Sequence, residues 1–192
     1  MFNEQYWSNR YQNQQDGWDI GYPAPALTAL IDQLTDKNTK ILIPGCGNAY
    51  EAAYAYENGF KNTFIIDWAL EPLQAFQKKH PHFPENQIIY ADFFKHEGQY
   101  EVIIEQTFFC ALDPLMRSDY IKKCSSLLVV KGHLQGLLFN CTFEKAGPPF
   151  GGNKKEYLTL FEPYFDIVTM ETCSNSIPPR SGNELIFDLV KK

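Results

Sequence analysis

The 192 residues carry 17 Lys and Arg against 23 Asp and Glu, a formal net charge of −6, with 44% hydrophobic and 15% aromatic side chains. That length supports one sizeable core and leaves too little chain for a second, so one domain over residues 1–192 is expected. The basic doublets Lys78-Lys79, Lys122-Lys123, Lys154-Lys155 and Lys191-Lys192 each have acidic or apolar neighbours, which argues against a polyanion-binding face, and no apolar run approaches the ~20 residues that span a bilayer.

Residues 1–26 place Tyr6, Trp7, Tyr11, Trp18 and Tyr22 among Asn, Gln, Gly and Pro with no sustained strand or helix period, which reads as an aromatic-rich cap. Apolar positions 26, 27, 30, 31 and 34 then mark one face of a short helix, and Lys40 to Ile43 a buried strand. Tyr50 to Asn58 reads as a helix stopped by Gly59, and Thr63 to Asp67 as a second strand, which completes a βαβ unit. A helix over Ala69 to Lys79 ends at His80-Pro81-His82-Phe83-Pro84, and strands follow at Gln87 to Tyr90 and Tyr100 to Glu105. After a helix over Arg117 to Leu128, Lys131-Gly132 turns the chain into the strand His133 to Phe139.

Asn140 to Lys155, rich in Gly, Pro and Phe, reads as a loop over the sheet, followed by a helix from Lys155 to Phe161. The strands Phe165 to Glu171 and Glu184 to Val190 have nothing helical between them and are expected as antiparallel neighbours. The expected fold is α/β and Rossmann-like: a seven-stranded, mostly parallel sheet with an antiparallel C-terminal strand pair and helices on both faces.

Gly45 and Gly47, directly after the first strand, would let the backbone turn tightly and approach a ligand, with the following helix offering free N–H groups. Asp67 lies 20 residues beyond Gly47 at the end of the next strand, where a carboxylate can accept from ribose hydroxyls. A dinucleotide site wants a third glycine where this chain has Asn48, Ala49 and Tyr50, so the turn leans toward a cofactor without pyrophosphate, S-adenosylmethionine. Ala91-Asp92-Phe93-Phe94 falls on the same edge, with Asp92 suited to an adenine amino group and a ring to the base, and Glu105 closes the fourth strand there. Cys46 has a place in the site wall; the other four cysteines, Cys110, Cys124, Cys141 and Cys173, read as buried thiols. With no CxxC pair and no His at zinc spacing, no metal is expected.

With those residues placed, the chain resembles the thiopurine S-methyltransferase family, and most closely its branch of plant and bacterial halide and thiol methyltransferases. The resemblance rests on GWDIGYPAP at 17–25, ILIPGCGNAYEA at 41–52, IIDWA at 65–69, ADFF at 91–94, EQTFFCALDPLMR at 105–117 and GPPFGG at 147–152. It implies a class I methyltransferase fold with S-adenosylmethionine as methyl donor and S-adenosylhomocysteine as product. Gly45, Cys46 and Gly47 would lie by the amino-acid part of the cofactor, Asp67 and its neighbour Trp68 by the ribose, and Asp92 with Phe93 by the adenine. Trp7 and Trp18 would hold the cofactor and close the site. Where many relatives carry a Pro-Gly-Gly-like turn, this chain has Lys131-Gly132-His133.

A sulfonium methyl is already activated, so the reaction needs alignment and exclusion of water rather than a catalytic histidine. Arg117 is the first candidate to attract an anionic nucleophile, at the position of an arginine that approaches substrate in the thiopurine enzymes. Arg180 is a second candidate, Tyr157 is placed to reach in, and Phe108, Phe109 and Phe150 would form a dry wall. The expected acceptor is a small thiol, hydrosulfide, thiocyanate or halide ion, with thiopurine-type aromatic thiols or selenium and tellurium species as the alternative. An NAD-dependent oxidoreductase would need a Ser-Tyr-Lys or His-Asp constellation beyond residue 100, and none is convincing. A regulatory protein that binds S-adenosylmethionine without turnover is the remaining reading. The start MFNEQYWSNR lacks the order of a secretory signal, so the expected setting is cytoplasmic, with a monomer or weak homodimer acting on a small molecule or small anion.

Overall fold

A computed structural model describes residues 2–192, so of the expected cap only Met1 lies outside the described residues. The run Ile41–Pro44 (β1) is buried at every position and sits between two parallel neighbours, Thr63–Asp67 (β2) and Tyr100–Gln106 (β4). A central parallel strand has no solvent face, which is why its sequence is a continuous apolar run. Ile88–Tyr90 (β3) extends the sheet beyond β2, and Leu128–Phe139 (β5) extends it beyond β4. Phe165–Thr172 (β6) and Glu184–Lys191 (β7) complete the order β3-β2-β1-β4-β5-β7-β6. β7 runs antiparallel to both β5 and β6, so the expected antiparallel pair is present with β7 inserted between its neighbours.

Two cores form because successive side chains of each strand point to opposite faces. Ile41 and Ile43 pack with Pro25–Asp32 (α2), Tyr50–Glu57 (α3) and Leu70–Lys79 (α4) through Leu27, Ile31, Ala52, Ala55, Leu73 and Phe76. Leu42 faces the other side, where Arg117–Leu127 (α5) and Lys154–Phe161 (α6) supply Tyr120, Ile121, Cys124, Tyr157 and Phe161.

The structure departs from the sequence reading at two places. β5 begins at Leu128 rather than His133: Tyr100 pairs with Leu128 and Val102 with His133, so the Lys131-Gly132 turn is an excursion inside one ladder. Lys131 takes a left-handed φ of 64° to make it. The second departure is in the N-terminal cap, where Glu4–Gln12 (α1) is a helix capped by the Asn3 side chain on the amide of Tyr6 at 3.0 Å. Its only buried residue is Ser8, so no apolar stripe announced it. Polar contacts hold it instead: Ser8 Oγ and Gln12 Nε2 donate to the Glu71 carboxylate at 2.9 and 2.6 Å, and Tyr90 Oη donates to Glu4.

Candidate functional site

The carboxyl ends of β1, β2 and β4 open into a cavity of about 730 Å³, roofed by α1 and by loops around residues 17–22, 106–116 and 139–149. Gly45, Gly47 and Ala49 all take left-handed φ angles, 57°, 50° and 53°, which reverses the chain between β1 and α3. The two glycines are required by neighbouring aromatics as well as by φ. A Cβ on Gly45 would overlap the Phe108 ring, and one on Gly47 would come within 2.9 Å of Tyr11 Oη.

Asp67 ties this turn to the end of β2: one carboxylate oxygen accepts from the Gly47 amide at 2.9 Å and the other from the Ala69 amide at 2.8 Å. Burial pushes its carboxyl up from the ordinary range, against the pull of those N–H groups. Each oxygen keeps a second lone pair for a ligand hydroxyl. Asp92 accepts from the Phe94 amide at 2.9 Å and lies 3.7 Å from Lys95, while the Phe93 ring sits 5.2 Å from that of Phe108. Cys46 lines the same turn, and burial beside Asp67 raises its thiol well above the usual range, which keeps it protonated and a poor nucleophile.

Above the turn, Trp7, Trp18 and Tyr11 form an edge-to-face cluster, with Trp18 at 5.6 Å from each of the other two rings, and Trp68 joins the same cavity wall. Asp19 locks this roof to the start of α3: Tyr50 Oη donates to it at 3.1 Å and Asn48 Nδ2 donates to the same oxygen. Tyr11, Asp19, Tyr50 and Arg10 are wall residues that the sequence reading did not single out. Arg10 and Tyr11 lie on α1, a helix with no periodic signature, whereas Asp19 and Tyr50 meet across 31 residues of chain.

Of the expected residues, Trp7, Trp18, Gly45, Cys46, Gly47, Asp67, Trp68, Asp92, Phe93 and Arg180 come together around this cavity, and so does Phe108. Glu105, Arg117 and Tyr157 do not; they stand behind its wall. Glu105 is 1% exposed, and one oxygen accepts from the amides of Phe108 and Phe109, both at 2.8 Å, while the other accepts from Tyr120 Oη at 2.6 Å. Its carboxyl, pushed up to about 7 by burial, fixes the loop that carries Phe108. Arg117 is 4% exposed, paired with Glu156 and donating to the Gly151 carbonyl at 2.7 Å. Tyr157 Oη donates to the Phe139 carbonyl at 2.7 Å. Together these two side chains brace the loop that begins at Asn140, and neither faces the cavity. Phe109 is a core ring, and Phe150 packs on Phe2 at 5.8 Å, so the dry wall reduces to Phe108 among the three.

The wall carries the guanidiniums of Arg10 and Arg180 and the carboxylates of Asp19, Glu51, Asp67, Asp92 and Asp113. This excess of carboxylate suits a ligand with net positive charge, as a sulfonium and an ammonium beside one carboxylate would carry. Aromatic rings on the roof and a carboxylate at the end of β2 fit S-adenosylmethionine by chemistry as well as by shape.

Residues 2–188 match the thiopurine S-methyltransferase (TPMT) family. Among curated proteins, the chain is 26% identical to a probable thiol methyltransferase 2 of Arabidopsis thaliana, with 93% of this chain and 81% of that protein aligned. It is 23% identical to a thiopurine S-methyltransferase of Acinetobacter baylyi over 85% of each chain. In fold it is similar to the Burkholderia thailandensis 1,6-didemethyltoxoflavin-N1-methyltransferase bound to S-adenosylhomocysteine, with a TM-score of 0.77 at 15% identity, covering 98% of this chain and 87% of that one. A TehB-like S-adenosylmethionine-dependent methyltransferase from Corynebacterium glutamicum gives a TM-score of 0.66 at 15% identity, with 98% of each chain covered. The chain belongs to the thiopurine S-methyltransferase family and is an S-adenosylmethionine-dependent methyltransferase with the class I fold.

Proposed function

We propose that this enzyme methylates a small soft nucleophile, a thiol, hydrosulfide, thiocyanate or halide ion, and that it belongs to the halide and thiol methyltransferase branch of its family. The observation that carries the size of the acceptor is the cavity of about 730 Å³, within the range of sites for one drug-sized ligand. A nucleoside joined to an amino acid fills most of such a space and leaves room for a small second molecule. The names of relatives, a probable thiol methyltransferase and a thiocyanate methyltransferase of Arabidopsis thaliana, support the same class.

When bound, S-adenosylmethionine supplies a methyl group whose bond to the sulfonium sulfur breaks in line as the acceptor's lone pair takes the carbon, leaving neutral S-adenosylhomocysteine. Asp67 accepts from the ribose hydroxyls, Asp92 and Phe93 hold the adenine, and the turn Gly45-Cys46-Gly47 holds the amino-acid portion. Trp7, Trp18 and Trp68 exclude water and pack against the cationic donor. Phe108, fixed through Glu105, supplies an apolar wall beside the acceptor, and Arg180 supplies a hydrogen-bond donor there. Arg117 and Tyr157 act indirectly, by holding the loop that closes this end.

A second reading, transfer to a bulkier aromatic thiol, is favoured by the apolar mouth, where Leu112, Leu115, Met116 and Phe143 line the cavity and Leu115 is 90% exposed. A methyl-transfer screen with hydrosulfide, thiocyanate, iodide, a small alkyl thiol and an aromatic thiol, read as kcat/KM, separates the two. Highest kcat/KM with the small acceptors is expected. Tight S-adenosylmethionine binding with no turnover on any of the five would overturn the proposal in favour of a regulatory binding protein.

A further inference from the structure

Of the two guanidiniums in the cavity wall, Arg10 is committed to the cap itself. Its Nε donates to the Gln15 carbonyl at 2.9 Å, its Nη1 to Tyr6 Oη at 3.2 Å, and its guanidinium lies 4.9 Å over the Trp18 ring. Arg180, the other cation of the wall, joins the cap to the C-terminal strands instead. It stands on the short turn Pro178–Arg180, donates through Nη2 to the Trp18 carbonyl at 2.9 Å, and lies 5.6 Å over the Phe139 ring.

Arg180 is not electrostatically free. Its Nη1 lies 3.5 Å from the carboxylate of Glu184, the first residue of β7, whose side chain is 3% exposed. A second buried carboxylate, Glu51 on α3, accepts from the Ala24 amide at 2.8 Å. Burial raises the Glu51 carboxyl, and the Arg180 charge pulls it back down, so the two are within electrostatic reach of each other. Arg180 is therefore paired with one buried carboxylate, and a second lies in the same cavity wall. Coulombic interactions in such a partly dry wall are several times stronger than in water, so the attraction that Arg180 offers an incoming anion is cancelled locally.

We propose that Glu184 is a positioning residue that sets acceptor charge preference: it holds Arg180 in place and neutralises it, so that neutral thiols are accepted in preference to permanent anions. The proposal rests on the methyl-transfer reading given above. A permanent anion must shed its hydration shell to enter and gains no net field in return, whereas a neutral thiol loses little on entry. Arg180 still donates a hydrogen bond to the acceptor sulfur. Transfer then breaks the thiol S–H bond and the donor's methyl–sulfur bond, forms one thioether C–S bond, and releases the thiol proton to water at the cavity mouth.

The test compares two thiols of similar size that differ in charge, 2-mercaptoethanol and mercaptoacetate, in the wild type, Glu184→Gln and Glu184→Met. Each substitution removes one negative charge beside Arg180 while keeping the side-chain shape, and the second variant covers the possibility that the first fails to fold. Expected is a wild-type preference for mercaptoethanol and a rise of ~10-fold in the relative kcat/KM for mercaptoacetate in either variant, with S-adenosylmethionine affinity within ~3-fold of wild type; ~10-fold corresponds to ~1.4 kcal/mol. Calorimetric binding of thiocyanate, with and without S-adenosylhomocysteine, reads the same change without turnover and should tighten ~10-fold. Unchanged or weaker thiocyanate binding in the folded variants overturns the role of Glu184. Failure of the wild type to methylate any thiol overturns the reaction assignment instead, and the thiocyanate comparison still decides the charge argument.

Discussion

The two ends of the cavity are built on different principles. At the floor, Gly45, Cys46, Gly47 and Asp67 are joined by the central strands and by a direct hydrogen bond from the Gly47 amide to Asp67, so short stretches of sequence carry both the backbone path and the chemistry. At the opposite end, the wall is assembled from segments far apart in the chain: Arg180 reaches the Trp18 carbonyl across 162 residues, and Arg117 reaches Gly151 and Glu156. A polar side chain at the floor faces the cavity because the strand end points it there. At the acceptor end a polar side chain is as often a brace for a neighbouring loop, and only the packing distinguishes the two.

The sharpest way to break this contrast is Arg117→Ala. If Arg117 is a brace, the loss is one of stability, because Glu156 loses its partner and the Gly151 carbonyl its donor; about 3 kcal/mol, roughly 1.5 for each of two charge-assisted hydrogen bonds, is expected in urea denaturation, with S-adenosylmethionine affinity little changed. Arg117→Lys should recover only part of it, since an ammonium cannot reproduce the two-pronged contact. Intact stability with lost turnover on an anionic acceptor would return Arg117 to the substrate site.

Glu105 tests the same wall through pH. Burial raises its carboxyl from 4.5 to about 7, so the folded chain holds this proton more tightly than the unfolded chain. Its contribution to stability is complete below about pH 4.5 and is lost as pH rises through about 7, on the order of 3 kcal/mol in all. Denaturation midpoints measured across that window should fall with pH in the wild type and fall less steeply in Glu105→Gln. An identical slope in the two proteins would remove Glu105 from the account.

At the floor, Asp67→Ala should weaken S-adenosylmethionine binding by ~10-fold, about 1.4 kcal/mol, through loss of a charge-assisted hydrogen bond. Unchanged affinity by calorimetry would remove the ribose assignment. The smallest expected effect lies at the roof: Ser8→Ala deletes one tether from α1 to Glu71 and should cost ~1 kcal/mol or less, seen as up to ~5-fold weaker cofactor binding and faster proteolysis within residues 4–12. Proteolysis at the wild-type rate would show that the remaining contacts of α1, such as those of Gln12 and Tyr90, suffice.

Much of the fold was legible in the sequence because its signals are local. The strand Thr63–Asp67 has the expected bounds, and the helices at Tyr50–Glu57, Leu70–Lys79 and Arg117–Leu127 end within one residue of where their apolar spacing and Gly or Pro stops put them. What was not legible lacked a period. α1 has one buried residue and is held by polar contacts to Glu71 and Tyr90, which lie 59 to 86 positions away, and β5 hides an excursion at Lys131 inside a single ladder.

The sequence by itself determined the glycine-turn end of the cavity, since a glycine turn after a buried strand and an aspartate at the end of the next strand dictate both a backbone path and the polar groups presented there. Only the tertiary structure decided the acceptor end. There, whether Glu105, Arg117, Tyr157 or Arg180 faces the cavity depends on which loop each side chain can reach. A buried charge turns toward whatever neighbour satisfies it, and those neighbours lie elsewhere in the chain.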